Sequence, residues 1–145
     1  MKEMEGLEVK ETGDGRGKGL YATKHFRKSE KIGEYLGHRI NKKELVRRYG
    51  GTLATYVLEV GEDSYLDDRD GESPVAFSND AVCVEKMKEL VASGIKSRRA
   101  YTAATDKSKR NSYVRSHGGR AFLYASKKIE PGQEITWSYG SSYWE

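Results

Sequence analysis

The aromatic residues near the C-terminal end of the chain are its strongest candidates for chemistry. Tyr139 follows a short β-rich run and precedes Gly140, with Trp137, Tyr143 and Trp144 close by in sequence. A phenol hydroxyl among aromatic rings suits a site that handles a cation, because the ring faces carry partial negative charge. The alternative is an aromatic cluster that only packs the end of the chain. These residues alone leave both interpretations open.

A series of alternating glycines near the other end of the chain is a second candidate. Glycines occupy positions 13, 15, 17 and 19, and Gly19 is followed by a β-rich run rather than a helix. A dinucleotide site or a P-loop needs a helix N-terminus at this point to hold phosphate, and Lys18 lacks the Ser or Thr that follows a P-loop lysine. We therefore expect neither a nicotinamide nor an ATP site. The remaining interpretations are a flexible turn and a loop whose backbone lies close against another ligand.

The overall composition predicts one globular domain over residues 1–145. The chain is 36% hydrophobic and 33% charged, and its apolar runs are too short to span a membrane. Cys83 is the single cysteine, which excludes an internal disulfide and a cysteine-built metal site. The first residues lack the apolar core of a signal peptide. We expect an intracellular protein with no membrane partner and no metal site.

Positive charge is concentrated in the second half of the chain. Residues 81–120 carry ten Lys and Arg against three Asp and Glu, whereas residues 1–80 carry fourteen against sixteen. Such a block is most often a solvated surface or a loop. Alternatively, it faces an acidic partner, either nucleic acid or an acidic protein surface. The block by itself does not select between these interpretations.

Short β-rich segments separated by glycines predict a mainly β fold with few helices. Predicted strands cover residues 7–9, 19–23, 31–35, 38–40, 52–60, 65–67, 121–125 and 134–138. A predicted helix over residues 42–49 has Asn41 as its N-cap and Glu44 three residues later, and a second over residues 84–92 ends before Gly94. Residues 96–110 show no apolar period, and we expect a long basic loop there.

Three separated parts of the chain resemble one family, the SET-domain protein-lysine methyltransferases. The first part is Gly17-Lys-Gly-Leu-Tyr-Ala22 with Gly33-Glu-Tyr-Leu-Gly37, similar to Gly-x-Gly-Leu-Phe-Ala and Glu-Tyr-x-Gly. The second is Tyr65-Leu-Asp67 with Val75-Ala-Phe-Ser-Asn79, similar to Tyr-Ile-Asp and Arg-Phe-x-Asn-His. The third, from Ala125 to Gly140, resembles Ala-x-Arg-x-Ile-x-x-Gly-Glu-Glu-Leu-Thr-x-x-Tyr-Gly. The match covers roughly residues 7–144, and the short length is most similar to the minimal SET domains of viruses and protists.

The resemblance implies a β-clip SET fold, with small sheets, a few short helices and a C-terminal strand threaded under a loop as a pseudoknot. This threading would bring Asn79 beside Tyr139. S-adenosylmethionine would lie on one face and a peptide on the other, and the substrate lysine would reach the cofactor through a narrow channel. The implied activity is methyl transfer from S-adenosylmethionine to a lysine of a protein. Histones are one candidate substrate, and the nucleus is one compatible location.

The same resemblance assigns roles to individual residues. Tyr139 matches the catalytic tyrosine, Tyr56 matches a tyrosine that lines the lysine channel, and Trp137 stands two residues before the catalytic position. The residues that match the family's cofactor-binding positions are Gly17, Lys18, Gly19, Asn79, Asp80 and Trp144. Cross-strand packing is the alternative role for Tyr56, and a packing lid is the alternative role for Trp144.

Three departures from the family pattern keep other functions open. Asp80 stands where the family has the histidine of Asn-His. The last asparagine of that motif is matched only at Asn111, which makes residues 81–110 a basic insertion. Trp137 is bulkier than the family's usual Phe or Tyr. One alternative is therefore a SET-like binding module without catalysis, and another is a nucleic-acid-binding domain that uses residues 81–120.

Overall fold

The computed structural model of the protein describes residues 5–13, 17–50, 57–69, 71, 73–80 and 84–138. The strands in this part of the chain are β1 (Leu7–Glu11), β2 (Lys18–Ala22), β3 (Lys31–Tyr35), β4 (His38–Ile40), β5 (Val57–Gly61), β6 (Ser64–Asp67), β7 (Ser112–His117), β8 (Arg120–Ala125) and β9 (Glu134–Ile135). The α-helices are α1 (Lys42–Tyr49), α2 (Val84–Ala92) and α3 (Ser97–Ala104), and single 3₁₀ turns cover Pro74–Phe77 and Lys107–Lys109. The predicted mainly β fold class is confirmed.

The described strands form small antiparallel sheets that join distant parts of the chain. Their strand orders are β1-β2-β9, β3-β8-β7 and β4-β6-β5. Strand β9 joins the first sheet through the pair of Leu20 with Ile135. Strand β8 joins β3 through the pair of Glu34 with Phe122. The last third of the chain therefore completes two sheets that the first third begins.

The main core is built from inward-facing residues of all three sheets. On β8, Ala121, Leu123 and Ala125 are buried while the residues between them are partly exposed, as the two-residue period of a strand requires. The largest fully buried apolar side chains are Phe26, Leu20, Leu123, Ile129 and Ile135. Each such side chain contributes about 1.5–3 kcal/mol when it is removed from water. Leu20 and Ile135 thus fix the strands that carry the N-terminal and C-terminal family motifs.

Helix α1 begins at its predicted cap. The Asn41 Oδ1 atom accepts a hydrogen bond from the backbone amide of Glu44 at 2.8 Å, and Gly50 ends the helix with a φ of +60°. The carboxylate of Glu44 does not complete a capping box but binds Arg47 and Arg48. No helix in the described part of the chain is long and apolar enough to cross a membrane.

The prediction of an irregular loop over residues 96–110 is wrong. This segment contains α3 and a 3₁₀ turn, and α3 packs against α2 as a helical hairpin. A small separate core holds the hairpin together, formed by Met87, Ala100, Tyr101 and Ala104 with Leu90 and Ile95 at its edge. The apolar face of α3 consists mainly of alanine, so its period is weak in sequence. Packing of this small apolar face against α2 stabilises the helix.

The C-terminal segment lies between two stretches of chain that are far apart in sequence. Thr136 forms an isolated parallel bridge with Asn79 on one side, and its carbonyl accepts from the Asn111 amide on the other side at 3.1 Å. The predicted strand over residues 134–138 is therefore short: it ends at Ile135 because the chain exchanges its sheet partner for these two asparagine-bearing segments. The C-terminal segment therefore passes between Asn79 and Asn111, the two residues that flank residues 80–110 in sequence. The pseudoknot implied by the family resemblance requires this arrangement.

Candidate active site

The backbone at Gly17 to Gly19 is held open by a single threonine. Both the amide and the hydroxyl of Thr12 donate to the Gly17 carbonyl, at 2.9 and 3.0 Å. Gly17 has a φ of +77°, a conformation that side chains with a Cβ rarely adopt. Gly17 and Lys18 are both exposed. The turn thus exposes Gly17 and Lys18, while their carbonyl oxygens accept from Thr12 and Asn79.

Asn79 connects this turn to the C-terminal segment. Its side-chain Nδ2 donates to the Lys18 carbonyl at 3.0 Å and lies 3.3 Å from Glu134 Oε2. The three segments approach so closely that position 19 has no room for a side chain. A Cβ there would lie 2.8 Å from Thr12 Cγ2 and 2.9 Å from Glu134 Oε2. Gly19 is therefore required for the close approach of the backbone to Asn79.

Trp137 anchors the C-terminal segment to the stretch that carries Asn79. Its backbone amide donates to the Asn79 carbonyl at 3.1 Å. Its indole Nε1 donates to Ser78 Oγ at 2.8 Å, and the Ser78 hydroxyl in turn donates to the Val75 carbonyl at 2.6 Å. The indole is half-buried and packs against the main core. These contacts fix both the backbone and the ring of Trp137.

Asn111 holds the opposite side of the same segment with its amide group. Its Nδ2 donates to the Glu134 carbonyl at 2.9 Å, and its Oδ1 accepts from the Thr136 amide at 3.0 Å. Ser112 Oγ adds a bond to the Thr136 carbonyl at 2.7 Å. A primary amide offers both a donor and an acceptor, which is what the unpaired side of an edge strand needs to satisfy its main chain. Asn111 is thus a structural clamp on β9.

Asp80 lies next to the site with its side chain turned into the protein. It is 2% exposed, and its Oδ2 accepts from the Tyr101 hydroxyl at 2.8 Å. The same hydroxyl lies 3.1 Å from Ser138 Oγ and accepts from Arg110 Nη2 at 3.0 Å. The carboxylate of Asp80 is therefore engaged by a tyrosine of α3.

The structure brings the described candidate residues together. Gly17, Lys18, Gly19, Asn79 and Trp137 form one continuous cluster, and Asp80 adjoins it. Tyr139, Tyr56 and Trp144 lie outside the described residues, so their assigned roles stay predictions. The functional contacts that sequence reasoning missed involve Thr12, Ser78, Tyr101 and Glu134. Glu134 could have been found from the sequence, because its carboxylate lies inside the matched C-terminal motif. Tyr101 offers no such signal, because the sequence does not predict α3.

Comparison with known families shows which family this cluster belongs to. The family model of the SET domain matches residues 17–140. The chain belongs to the SET-domain family. SET domains are in general methyltransferases, and they typically use S-adenosylmethionine. A search of curated proteins finds no match to the chain. The family resemblance is thus confirmed, whereas the closer similarity to the minimal viral and protist type stays a prediction.

Proposed function

We propose that this SET domain transfers methyl groups from S-adenosylmethionine to a lysine side chain of a protein. The observation that carries the proposal is the junction at Asn79. Its side chain binds the Lys18 carbonyl and its carbonyl binds the Trp137 amide. Three family motifs, separated widely in sequence, are therefore in direct contact at one place.

The chemistry of this cluster fits the amino-acid part of S-adenosylmethionine. Glu134 brings a carboxylate, Lys18 brings an exposed ammonium, and Asn79 brings an amide whose Nδ2 bonds the Lys18 carbonyl. The methionine part of the cofactor carries a carboxylate, an ammonium and a sulfonium, which these groups complement in charge. A Cβ added to Gly17 would meet no atom within 4 Å, so there is space over the turn. Gly17, Lys18, Gly19 and Asn79 would hold the cofactor here, with Asp80 supporting the site from behind.

When bound, S-adenosylmethionine supplies an electrophilic methyl group, and the remaining task of the protein is alignment. Holding reacting groups in line at contact distance can supply roughly 7–11 kcal/mol of the barrier. In this proposal the Tyr139 hydroxyl orients the substrate amine, and Tyr56 with Trp137 forms the walls of the channel. Ser78 and Asn79 support alignment by fixing Trp137, two residues before Tyr139.

The substrate lysine must also lose its proton before it can act as a nucleophile. An ordinary lysine with a pKa of about 10.4 costs about 4–5 kcal/mol to deprotonate at pH 7. An apolar channel lowers this cost, because desolvation disfavours the charged ammonium. The half-buried indole of Trp137, with its N–H already bonded to Ser78, supplies apolar surface for this purpose.

A methyl-transfer assay tests the proposal. The protein is incubated with radiolabelled S-adenosylmethionine and with histones or ribosomal proteins, and the labelled protein is identified by mass spectrometry. We expect lysine methylation that Tyr139→Phe reduces strongly, while Tyr65→Phe, on β6 away from the cluster, retains it. Calorimetry with the cofactor separates the alternative: folded protein that binds no S-adenosylmethionine would be a SET-like module without catalysis. Transfer that survives Tyr139→Phe would remove the assigned role of that residue.

A second candidate function is binding of single-stranded nucleic acid, and the outer face of the β3-β8-β7 sheet favours it. Tyr113 and Tyr124 stack there with ring centroids 5.7 Å apart. The cations of Lys31 and Arg120 lie 4.4 and 5.0 Å from the ring centroid of Phe122. Aromatic rings with interleaved cations suit bases and phosphates, respectively. Of these residues, Tyr113 and Arg120 belong to the basic block at 81–120, whereas Lys31, Phe122 and Tyr124 lie outside it.

Fluorescence anisotropy with a labelled single-stranded oligonucleotide tests this second function. Tyr113→Ala should weaken binding by about 1–3 kcal/mol if a base stacks on that ring. Affinity should also fall steeply with added salt, because phosphate contacts release counterions. Equal affinity of wild type and Tyr113→Ala would contradict a site on this face. The assay is independent of methyl transfer.

A further inference from the structure

We propose that Tyr101 is a positioning residue for the methyl-transfer site, through which the α2–α3 hairpin fixes the backbone that leads into Tyr139. The inference rests on the proposed function, but it concerns a residue of the insertion at 81–110, which has no counterpart in the matched family motifs. Its basis is the contact of the Tyr101 hydroxyl with Ser138 Oγ at 3.1 Å.

The Tyr101 hydroxyl stands at the centre of a directed hydrogen-bond network. A guanidinium only donates, so the hydroxyl must accept from Arg110 Nη2, at 3.0 Å. A carboxylate only accepts, so the single proton of the phenol goes to Asp80 Oδ2, at 2.8 Å. The Ser138 hydroxyl is then left to donate to Tyr101. The network therefore fixes the direction of every bond and, with it, the rotamer of Ser138.

The centre of the network is rigid because Tyr101 and Asp80 are buried and the tyrosine ring is packed, whereas Ser138 at its outer end is exposed. Tyr101 is 6% exposed and Asp80 is 2% exposed. The tyrosine ring packs with Met87, Ala100 and Ala104 in the small core of the hairpin. Hydrogen bonds in such surroundings are electrostatically stronger than in water and costly to leave unmade. The hairpin thus acts as a packed support that presents one hydroxyl to the end of the C-terminal segment.

The position of Ser138 determines what this support can do. Trp137 is held by Asn79 and Ser78 on one side, and Ser138 is the next residue towards Tyr139. Tyr101 therefore supplies the last described contact before the predicted catalytic tyrosine. In an alignment-limited reaction, a displacement of about 1 Å can cost up to about a hundredfold in rate. Loss of the Tyr101 hydroxyl should accordingly affect kcat more than cofactor binding, because it removes the support of Ser138 directly and reaches the Lys18–Asn79 contact only through Asp80.

The substitution Tyr101→Phe tests the inference, since it removes the hydroxyl and keeps the packed ring. We expect kcat to fall by about tenfold to a hundredfold, with the calorimetric Kd for S-adenosylmethionine and the KM for the peptide close to wild type. Thr105→Val is the matched control. It removes a hydroxyl that bonds the Tyr101 carbonyl at 2.6 Å, at the end of the same helix, without touching the network. We expect this variant to retain the wild-type kcat. Wild-type kcat in Tyr101→Phe, or equal losses in both variants, would overturn the inference.

A second measurement needs no catalytic activity. In a Trp144→Phe background, fluorescence excited selectively from tryptophan rather than tyrosine reports Trp137 alone, because the chain has two tryptophans. We expect acrylamide to quench Trp137 more efficiently once Tyr101→Phe is added, because the segment loses its support at Ser138. Unchanged quenching would overturn the positioning role. If the wild type methylates nothing while the quenching changes as expected, the proposed function fails and the structural support by Tyr101 stands.

Discussion

The side-chain amide of Asn79 donates to the carbonyl oxygen of Lys18 at 3.0 Å, although 61 positions separate the two residues. The bond joins the first residue of β2 to Asn79, and the stretch around Asn79 in turn holds the C-terminal segment. Because the Asn79 carbonyl also accepts from the Trp137 amide, one residue sets the spacing of both neighbours. The cluster around Asn79 is therefore formed by tertiary contacts rather than by a single loop.

Asn79→Ala should weaken cofactor binding and destabilise the protein moderately. The lost hydrogen bond is worth about 0.5–1.5 kcal/mol in stability, whereas the turn also loses its alignment with Glu134. We expect the Kd for S-adenosylmethionine in calorimetry to rise by about tenfold, or 1.4 kcal/mol. Asn41→Ala is the control, because loss of the α1 cap costs about 0.5–2 kcal/mol at a distant site. Equal cofactor affinity in both variants would contradict the role of Asn79.

Replacing Gly13 and Gly17, which lie in the same loop, distinguishes the effect of ligand contact from the effect of backbone strain. Gly13 and Gly17 have φ values of +78° and +77°, and neither has an atom within 4 Å of an added Cβ. Replacement by alanine should therefore cost each protein a similar backbone strain of about 1–2 kcal/mol. We expect only Gly17→Ala to weaken binding of S-adenosylmethionine, because only that Cβ would occupy the space over the cofactor turn. Thermal melts and calorimetry on the pair give the comparison, and equal affinities would place the ligand elsewhere.

The sequence predicts the parts of this fold that have strong local patterns. The α1 cap at Asn41 and the strand over residues 121–125 follow from capping chemistry and alternation, and the structure confirms both. Strand β7 is not predicted, because its inward positions are not consistently apolar. Local sequence patterns cannot predict the hydrogen bond between Tyr101 and Asp80, because it depends on how α3 packs in the folded protein. The motif residues are found because family likeness, unlike propensity, carries tertiary information.

Low pH should reduce the stability of the protein through Glu44 of helix α1. Hydrogen bonds from Arg47, and then from Arg48, lower the pKa of Glu44 from 4.5 to about 2. A lowered folded-state pKa stabilises the protein above the unfolded value, so this contribution is present above about pH 4.5 and disappears as the pH falls towards 2. Glu44→Gln should therefore be less stable than wild type at pH 7, with the difference shrinking below pH 4.5. Urea unfolding at several pH values measures this, with the exposed Glu59→Gln on β5 as the control. A difference that does not change with pH would contradict the assignment.

Asp67 should matter far more for stability than an exposed ion pair. It is fully buried and accepts from Arg48 Nη1 at 2.8 Å and from the Tyr49 hydroxyl. Asp67→Ala leaves the largely buried Arg48 charge without this partner, and we expect a loss of about 3–5 kcal/mol. Glu34→Ala breaks the exposed pair with Arg120 and should cost about 0–1 kcal/mol. Urea denaturation of the two variants measures both losses in the free energy of unfolding. Similar losses would mean that α1 packs against the protein mainly by other contacts.

Trp137 should limit the number of methyl groups added to the substrate lysine. Its indole is fixed by the bond of Nε1 to Ser78 Oγ at 2.8 Å, so its bulk cannot turn aside as the product grows. Trp137→Phe removes that bulk beside the proposed channel, and we expect a larger share of dimethyl and trimethyl lysine in mass spectra of the product. Ser78→Ala keeps the bulk but leaves the indole N–H without this acceptor, which should cost about 1–3 kcal/mol in stability. If bulk is the cause, Ser78→Ala leaves the product distribution unchanged. A similar shift in both variants would instead show that the orientation of the ring, rather than its volume, sets the degree of methylation.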